Sequence, residues 1–158
     1  MKLINNVLIE KVVAQAKVSA RKRMNHNFHE TLDANVQRML NVLEPGTYIQ
    51  PHKHENPDKM EAFIILKGRV LVVEFDDPGN IVSSCVLSAK EGVFGAEIAP
   101  RTWHCIAALE PGSVIYELKD GPYSMLTDKD FASWAPKEGD VTCNQFITDL
   151  IRRCGVTL

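Results

Sequence analysis

The sequence predicts a mainly β chain, an antiparallel sandwich or barrel, with helical segments at its two ends. Two observations carry that reading. From about residue 25 to 119, short apolar runs rich in β-branched residues alternate with turn residues, whereas the two ends of the chain carry helical periodicity instead. The length of 158 residues fits one domain spanning 1–158. Within it the pattern divides into an N-terminal helix (1–24), a β-barrel (25–120) and a C-terminal helical extension (121–158).

The elements follow in order. Ile4, Leu8, Val12 and Ala16 recur at four-residue steps, with Lys11, Lys17, Arg21 and Lys22 on other faces, so the N-terminal stretch reads as an amphipathic helix. Strands are expected in Ala62–Leu66, Val70–Phe75, Ile81–Leu87, Cys105–Leu109 and Val114–Leu118. Glu44-Pro45-Gly46, Lys67-Gly68, Asp76-Asp77-Pro78-Gly79-Asn80, Lys90-Glu91-Gly92 and Glu110-Pro111-Gly112 punctuate them. Thr127-Asp128-Lys129-Asp130 has the form of a capping box and predicts a short helical turn through Phe131 and Trp134. A second box, Thr142-x-x-Gln145, opens a helix whose stripe is Cys143, Phe146, Ile147, Leu150, Ile151 and Cys154. Arg152 and Arg153 stand at its negative end, and Gly155 follows as C-cap.

Composition narrows the function classes. With 18 Lys+Arg against 20 Asp+Glu the chain has a formal charge of -2, which argues against a nucleic-acid binder. No run approaches the length of a membrane span, and Glu10 and Lys11 interrupt the apolar N-terminal residues, so no export signal is read and a cytoplasmic location is expected. Cys85, Cys105, Cys143 and Cys154 form no C-x-x-C pair and are expected as small buried hydrophobes without disulfides.

The chemistry concentrates in Gly46-Thr47-Tyr48-Ile49-Gln50-Pro51-His52-Lys53-His54, followed by Glu61 and Gly68. Residues two apart on a strand share a face, so His52 and His54 project together while Lys53 points away. Glu61 opens the next run, and a strand-loop-strand return brings its carboxylate beside the histidine pair. His104 stands at the start of another apolar run and can turn its ring into the same interior, with Cys105 facing the opposite side. Three imidazoles and a carboxylate suit one divalent transition metal: Zn, Fe, Mn, Ni or Co. A surface ion pair with Lys59 is the competing role for Glu61.

At these residues the chain resembles the cupin superfamily, over roughly residues 40–120. The first cupin motif is G-x5-H-x-H-x3-4-E-x6-G, and the second supplies a histidine after P-x-G-x2-H. Here the gap from His54 to Glu61 is longer, and Ala99 and Arg101 stand where the second motif has Pro and Gly. A narrower likeness spans nearly the whole chain. Arg23-Met24-Asn25-His26-Asn27-Phe28-His29, Gln37-Arg38-Met39-Leu40, Pro51-His52-Lys53-His54, Lys59-x-Glu61, Trp103-His104, Lys119-Asp120-Gly121-Pro122-Tyr123 and Asp130-Phe131-Ala132-x-Trp134-Ala135-Pro136 resemble the WbuC-type cupin-fold metalloproteins. The resemblance implies a cupin (double-stranded β-helix, jelly-roll) barrel, a bound metal, and a setting in bacterial surface-polysaccharide (O-antigen type) metabolism.

Around the metal, Tyr48 and Gln50 share the face of His52 and are candidates to line a ligand cavity, with His26, His29, Tyr123 and Arg101 as further ligand-binding candidates. Glu61, His26 and Tyr123 are the candidate bases for proton transfer. The expected ligand is a small molecule, a sugar or sugar derivative, and the expected reaction an isomerisation or epimerisation. Two alternatives fit the same residues: Fe(II)-dependent dioxygen chemistry, and a non-catalytic cupin that binds a small ligand. Two amphipathic helices beside a small barrel also suggest a homodimer.

Overall fold

The computed structural model describes residues 1–125 and 128–157. Its first element, α1 (Asn6–Val18), starts where the Asn5 side chain accepts the Leu8 N–H at 3.0 Å, and ends at Ser19, whose backbone is extended. The helix is therefore shorter than the 1–24 expected, and its buried face is Ile9, Val12, Val13 and Ala16, with Ile4 ahead of it and exposed. Lys22 takes a left-handed φ of 54° and turns the chain directly into β1 (Arg23–Asn27).

The strands that follow are β2 (Val36–Leu43), β3 (His52–Lys53), β4 (Glu61–Lys67), β5 (Val70–Phe75), β6 (Ile81–Leu87), β7 (Gly95–Ile98), β8 (Trp103–Ala108), β9 (Ser113–Asp120) and β10 (Asp130–Phe131). They form two five-stranded antiparallel sheets, ordered β1-β2-β9-β4-β7 and β10-β3-β8-β5-β6. Gly68 makes the tight turn from β4 to β5 at φ 75°, and a Cβ there would collide with Ser113 on β9. The chain closes with α2 (Cys143–Arg153).

Three apolar clusters and one polar region set the layers. α1 covers the outer face of the first sheet through Phe28, Leu40, Val42 and Val114. α2 covers the outer face of the second sheet, where Ile147, Leu150 and Ile151 meet Leu71, Val73, Phe75, Cys105 and Ala107. Between the sheets, Leu43, Phe63, Ile65, Val70, Val72, Leu87, Ile106 and Ile115 fill one end of the sandwich. The other end is polar. Across the first sheet the register aligns Gln37, Lys119 and Glu61 in one row and Met39, Glu117 and Phe63 in the next, all side chains buried.

The C-terminal segment departs from expectation. Thr127 lies outside the described residues, and residues 130–131 form strand β10 against Lys53 and His52 instead of a helical turn. Thr142 precedes α2 without a side-chain cap bond, so the second box is not formed, while Gly155 does take the left-handed conformation (φ 69°) that ends the helix. Cys105 and Cys143 are buried and Cys154 half-buried, but Cys85 is exposed on β6. No helix among the described residues is long and apolar enough to cross a membrane.

Leu150 is fully enclosed between α2 and the second sheet. Leu150→Ala is expected to destabilise the chain by about 2–5 kcal/mol, read from the midpoint of urea unfolding, with the β-sheet signal of the folded state unchanged.

Candidate metal centre

Antiparallel pairing of β3 with β8 sets His52 directly opposite His104, and β4 on the facing sheet brings Glu61 up to them. His54 follows β3 by one residue, and its carbonyl accepts the Arg101 N–H at 3.0 Å, which ties the two histidine-bearing segments together. One donor atom from each of His52, His54, Glu61 and His104 lies within 4.8 Å of the others, and all four side chains are buried. Glu61 Oε2 is 2.9 Å from His104 Nε2 and 3.4 Å from His54 Nε2.

The tautomer of each ring follows from its other nitrogen. His52 Nδ1–H donates to the Gln50 carbonyl at 2.9 Å, His104 Nδ1–H to the Thr102 carbonyl at 2.9 Å, and His54 Nδ1–H to the Asp128 carbonyl. A carbonyl can only accept, so every Nδ1 carries a proton. A ring protonated there and neutral turns a bare Nε2 lone pair inward, the arrangement in which an outer hydrogen bond orients a metal-binding imidazole. His52 Nε2 is buried with no partner among the described residues. Burial also holds the His52 imidazole well below its ordinary pKa, with the charge of Lys129 acting in the same direction.

Such a site has an electrostatic gap at its centre. Burial alone would raise the Glu61 carboxyl, but His104, His54 and Lys119 hold it well below the usual range, so it is an anion. Metal binding requires the rings to be neutral, and an anion facing the nitrogen lone pairs of neutral rings is repulsive without a cation among them. Donors about 2.0–2.1 Å from a shared ion stand about 2.9–3.4 Å apart for bond angles between the octahedral and tetrahedral values. The two Glu61 distances fall in that range, and the donor set of three imidazoles and one carboxylate fits a divalent transition metal.

The cluster forms the floor of a cavity of about 620 Å³ at the polar end of the sandwich. Glu117 stands in its wall, accepting from Asn41 Nδ2 at 2.9 Å. Burial, followed by the charge of Glu61, pushes its carboxyl up to about 8. Behind the wall, Asp128 joins two buried ammoniums: Lys119 Nζ donates to Oδ2 at 2.6 Å and Lys59 Nζ to Oδ1 at 2.8 Å. Lys59 therefore pairs with Asp128, not with Glu61. Lys129 also lines the cavity, where burial lowers its ammonium pKa.

The other sequence candidates separate cleanly. His29 and Tyr123 line the cavity; His29 Nδ1 accepts the Arg38 N–H at 3.0 Å, and the Tyr123 ring lies 5.6 Å from Lys119 Nζ. His26 pairs across β2 with Leu40 and stacks edge-on to Phe28 on the outer face, away from the cavity. Tyr48 also points outward: its hydroxyl donates to the Pro136 carbonyl at 2.6 Å and its ring meets Phe146 of α2. Gln50 anchors β10 by donating to the Ala132 carbonyl at 3.1 Å, and exposed Arg101 pairs with Asp58 at 2.8 Å. Glu117, Lys119, Lys129 and Asn41, which line the cavity, and Asp128, which pairs with Lys119, are the residues of the candidate site that the sequence reading missed. The available signal was the alternation Ile115-x-Glu117-x-Lys119, once the facing side is known to be covered by α1.

The sequence profile of the family described as "Domain of unknown function (DUF6016)" matches residues 4–87, more than half of the chain, and the chain belongs to that family. No curated protein matches it. Among solved structures it is similar to the capsular polysaccharide assembling protein CapF from Staphylococcus aureus, with a TM-score of 0.59 at 19% identity over 72% of this chain and 32% of that one. This chain thus spans about a third of CapF. It is also similar to protein SO0799 from Shewanella oneidensis (TM-score 0.57, 9% identity, 82% of this chain and 85% of that one). A recombinant oxalate oxidase in complex with glycolate gives a TM-score of 0.53 at 16% identity, over 73% of this chain and 57% of that one. At these identities the likenesses establish the fold, which is that of the cupins.

Burial would raise the Asp128 carboxyl, yet Lys119 and Lys59 hold it below its ordinary value of 3.8. Its contribution to stability is therefore complete above that value and is lost as the pH falls through the lower folded one. Asp128→Asn keeps the carbonyl that orients His54 but leaves two buried ammoniums without their carboxylate. It is expected to lose about 3–5 kcal/mol at pH 7. In urea titrations across pH 3–7, the gap from wild type narrows only below about pH 4.

Proposed function

We propose that this DUF6016 chain is a metal-dependent enzyme that moves a proton on a sugar or sugar derivative, as an isomerase or epimerase does. The observation that carries the reading is the bare, buried Nε2 of His52 beside the Glu61 carboxylate, on the floor of a cavity with a second carboxyl, Glu117, in its wall. His52, His54, Glu61 and His104 would hold the ion, which when bound supplies Lewis acidity to a carbonyl or hydroxyl oxygen.

The remaining work falls to the chain's own side chains. Asn25 and Asn41 offer amides to hydroxyl groups, and Asn41 Oδ1 is buried without a donor among the described residues. Glu117 is the candidate proton carrier. Its carboxylate accepts a proton from the carbon beside a carbonyl, and the C–H electron pair forms a C=C bond as the carbonyl π pair moves onto its oxygen. Glu117 returns the proton to the neighbouring carbon on the same face while the hydroxyl proton passes to the former carbonyl oxygen. Tyr123 lines the cavity and is the candidate to cover the ligand. Glu61 is occupied as a ligand in this reading, and His26 faces away.

The WbuC-type likeness supports a setting in surface-polysaccharide metabolism, and CapF is itself a capsular polysaccharide assembling protein. A cytoplasmic homodimer belongs to the same reading. Exposed Ile64, Leu66 and Phe94 leave apolar area on the first sheet beyond the cover of α1, which supports a second copy.

Elemental analysis of the purified chain is expected to find about one equivalent of metal, reduced at least tenfold in His52→Ala. With the metal loaded, a reducing sugar substrate should exchange a carbon-bound proton for deuterium in D2O by NMR. Glu117→Gln should slow that exchange by about 10²–10⁴-fold without emptying the site. A chain that neither carries nor takes up metal contradicts the reading. Oxygen consumption with iron loaded, or tight ligand binding without exchange, transfers the site to oxygen chemistry or to ligand sensing.

A further inference from the structure

The charges around the cavity do not balance once a cation is present. Three ammoniums, Lys59, Lys119 and Lys129, stand with three carboxyls, Glu61, Glu117 and Asp128. Even with all three carboxyls ionised the group is neutral, so a divalent ion leaves a surplus of two positive charges, and a protonated Glu117 raises it to three. At the cavity rim, Arg21 and Arg23 share the single carboxylate of Glu138, at 2.8 Å each, which adds a further positive charge. Such a surplus among buried side chains is unfavourable unless an anion enters with the ligand.

Lys129 is the group left to meet that anion. Asp128 is occupied by Lys59 and Lys119, and Lys129 has no ion-pair partner among the described residues although it lines the cavity. The β10 strand that begins at Asp130 pairs with His52 and Lys53, so the backbone next to Lys129 is fixed to the same strand that carries the metal cluster. Its side chain lines the cavity together with His52, Glu61 and His104. The amides of Asn25 and Asn41 and the unpaired Asn41 Oδ1 add sites suited to hydroxyl groups.

We infer that the cavity takes an anionic polyol, a sugar bearing a carboxylate or a phosphate, and that Lys129 binds its negative group. The inference rests on the metal-dependent reading above and assigns the substrate class of that same site. A carboxylate and a phosphate share the chemistry that Lys129 recognises, and they differ in charge and in size.

Isothermal titration of the full-length, metal-equilibrated chain with glucuronate, glucose 6-phosphate and glucose tests it. At least one of the two anions should bind at least tenfold more tightly than glucose, and the tighter of them identifies the charged group. Lys129→Met should remove about tenfold or more of that preference, with metal content and melting temperature held at wild-type values. Lys129→Arg, which keeps the charge, should restore most of it. Equal affinity for glucose and both anions overturns the inference and leaves the metal reading standing. Anion binding that is unchanged in Lys129→Met also overturns it, since the anion is then held by the metal alone. A chain that takes up no metal overturns the metal reading instead, and the Lys129 dependence of anion binding still decides this inference.

Discussion

Three main-chain carbonyls govern the architecture of the site. Those of Gln50, Thr102 and Asp128 each take the Nδ1 proton of one imidazole, and so leave three Nε2 lone pairs aimed at one buried carboxylate. Because the acceptors are backbone atoms, ring orientation is inherited from the path of the chain. Two of those carbonyls lie two residues before their histidine. The third comes from the segment between β9 and β10, so the return of the C-terminal part of the chain across β3 is a condition for His54 to be in place. Gln50 and Pro51 complete that attachment by binding Ala132.

Such an arrangement is not explained by stability. Removing a carboxylate from water costs several kcal/mol, and neutral imidazoles repay little of that without a cation. Nor is the apolar core continuous: it fills one end of the sandwich and stops at the row formed by Gln37, Lys119 and Glu61. The fold tolerates this because both outer faces are sealed by helices. With α1 on one sheet and α2 on the other, most of the hydrophobic burial lies outside and at the far end of the barrel, and the near end is left free to hold charge.

The same inversion explains what could be read from the sequence and what could not. His52, His54 and Glu61 were legible because they are close in the chain and the period of a strand fixes their common side. α2 was legible from its apolar stripe, and Cys105 from its position beside His104. β2 was not distinguished as a strand because Gln37, Met39 and Asn41 line the cavity, which breaks the usual apolar-inside alternation. Glu117 and Lys119 look like the solvent face of β9, since polar residues normally face water. Here the outer residues Val114 and Tyr116 lie under α1, and the polar ones face inward. Tyr48, by the opposite logic, looks like cavity lining and is packed outside against α2. Asp128 was read only as part of a capping box, because its partners Lys59 and Lys119 are distant in the chain and its other contact is through a backbone carbonyl.

The central claim is that the inward Nε2 atoms and Glu61 share one ion. X-ray absorption at the edge of the bound metal tests it most directly. The account predicts a first shell of nitrogen and oxygen only, at about 2.0–2.2 Å, with the outer-shell scattering of three imidazoles and no sulfur. A sulfur neighbour at about 2.3 Å, or fewer than three imidazoles, would contradict it; the Cys105 side chain, next to His104 in the chain, packs in the cluster with α2.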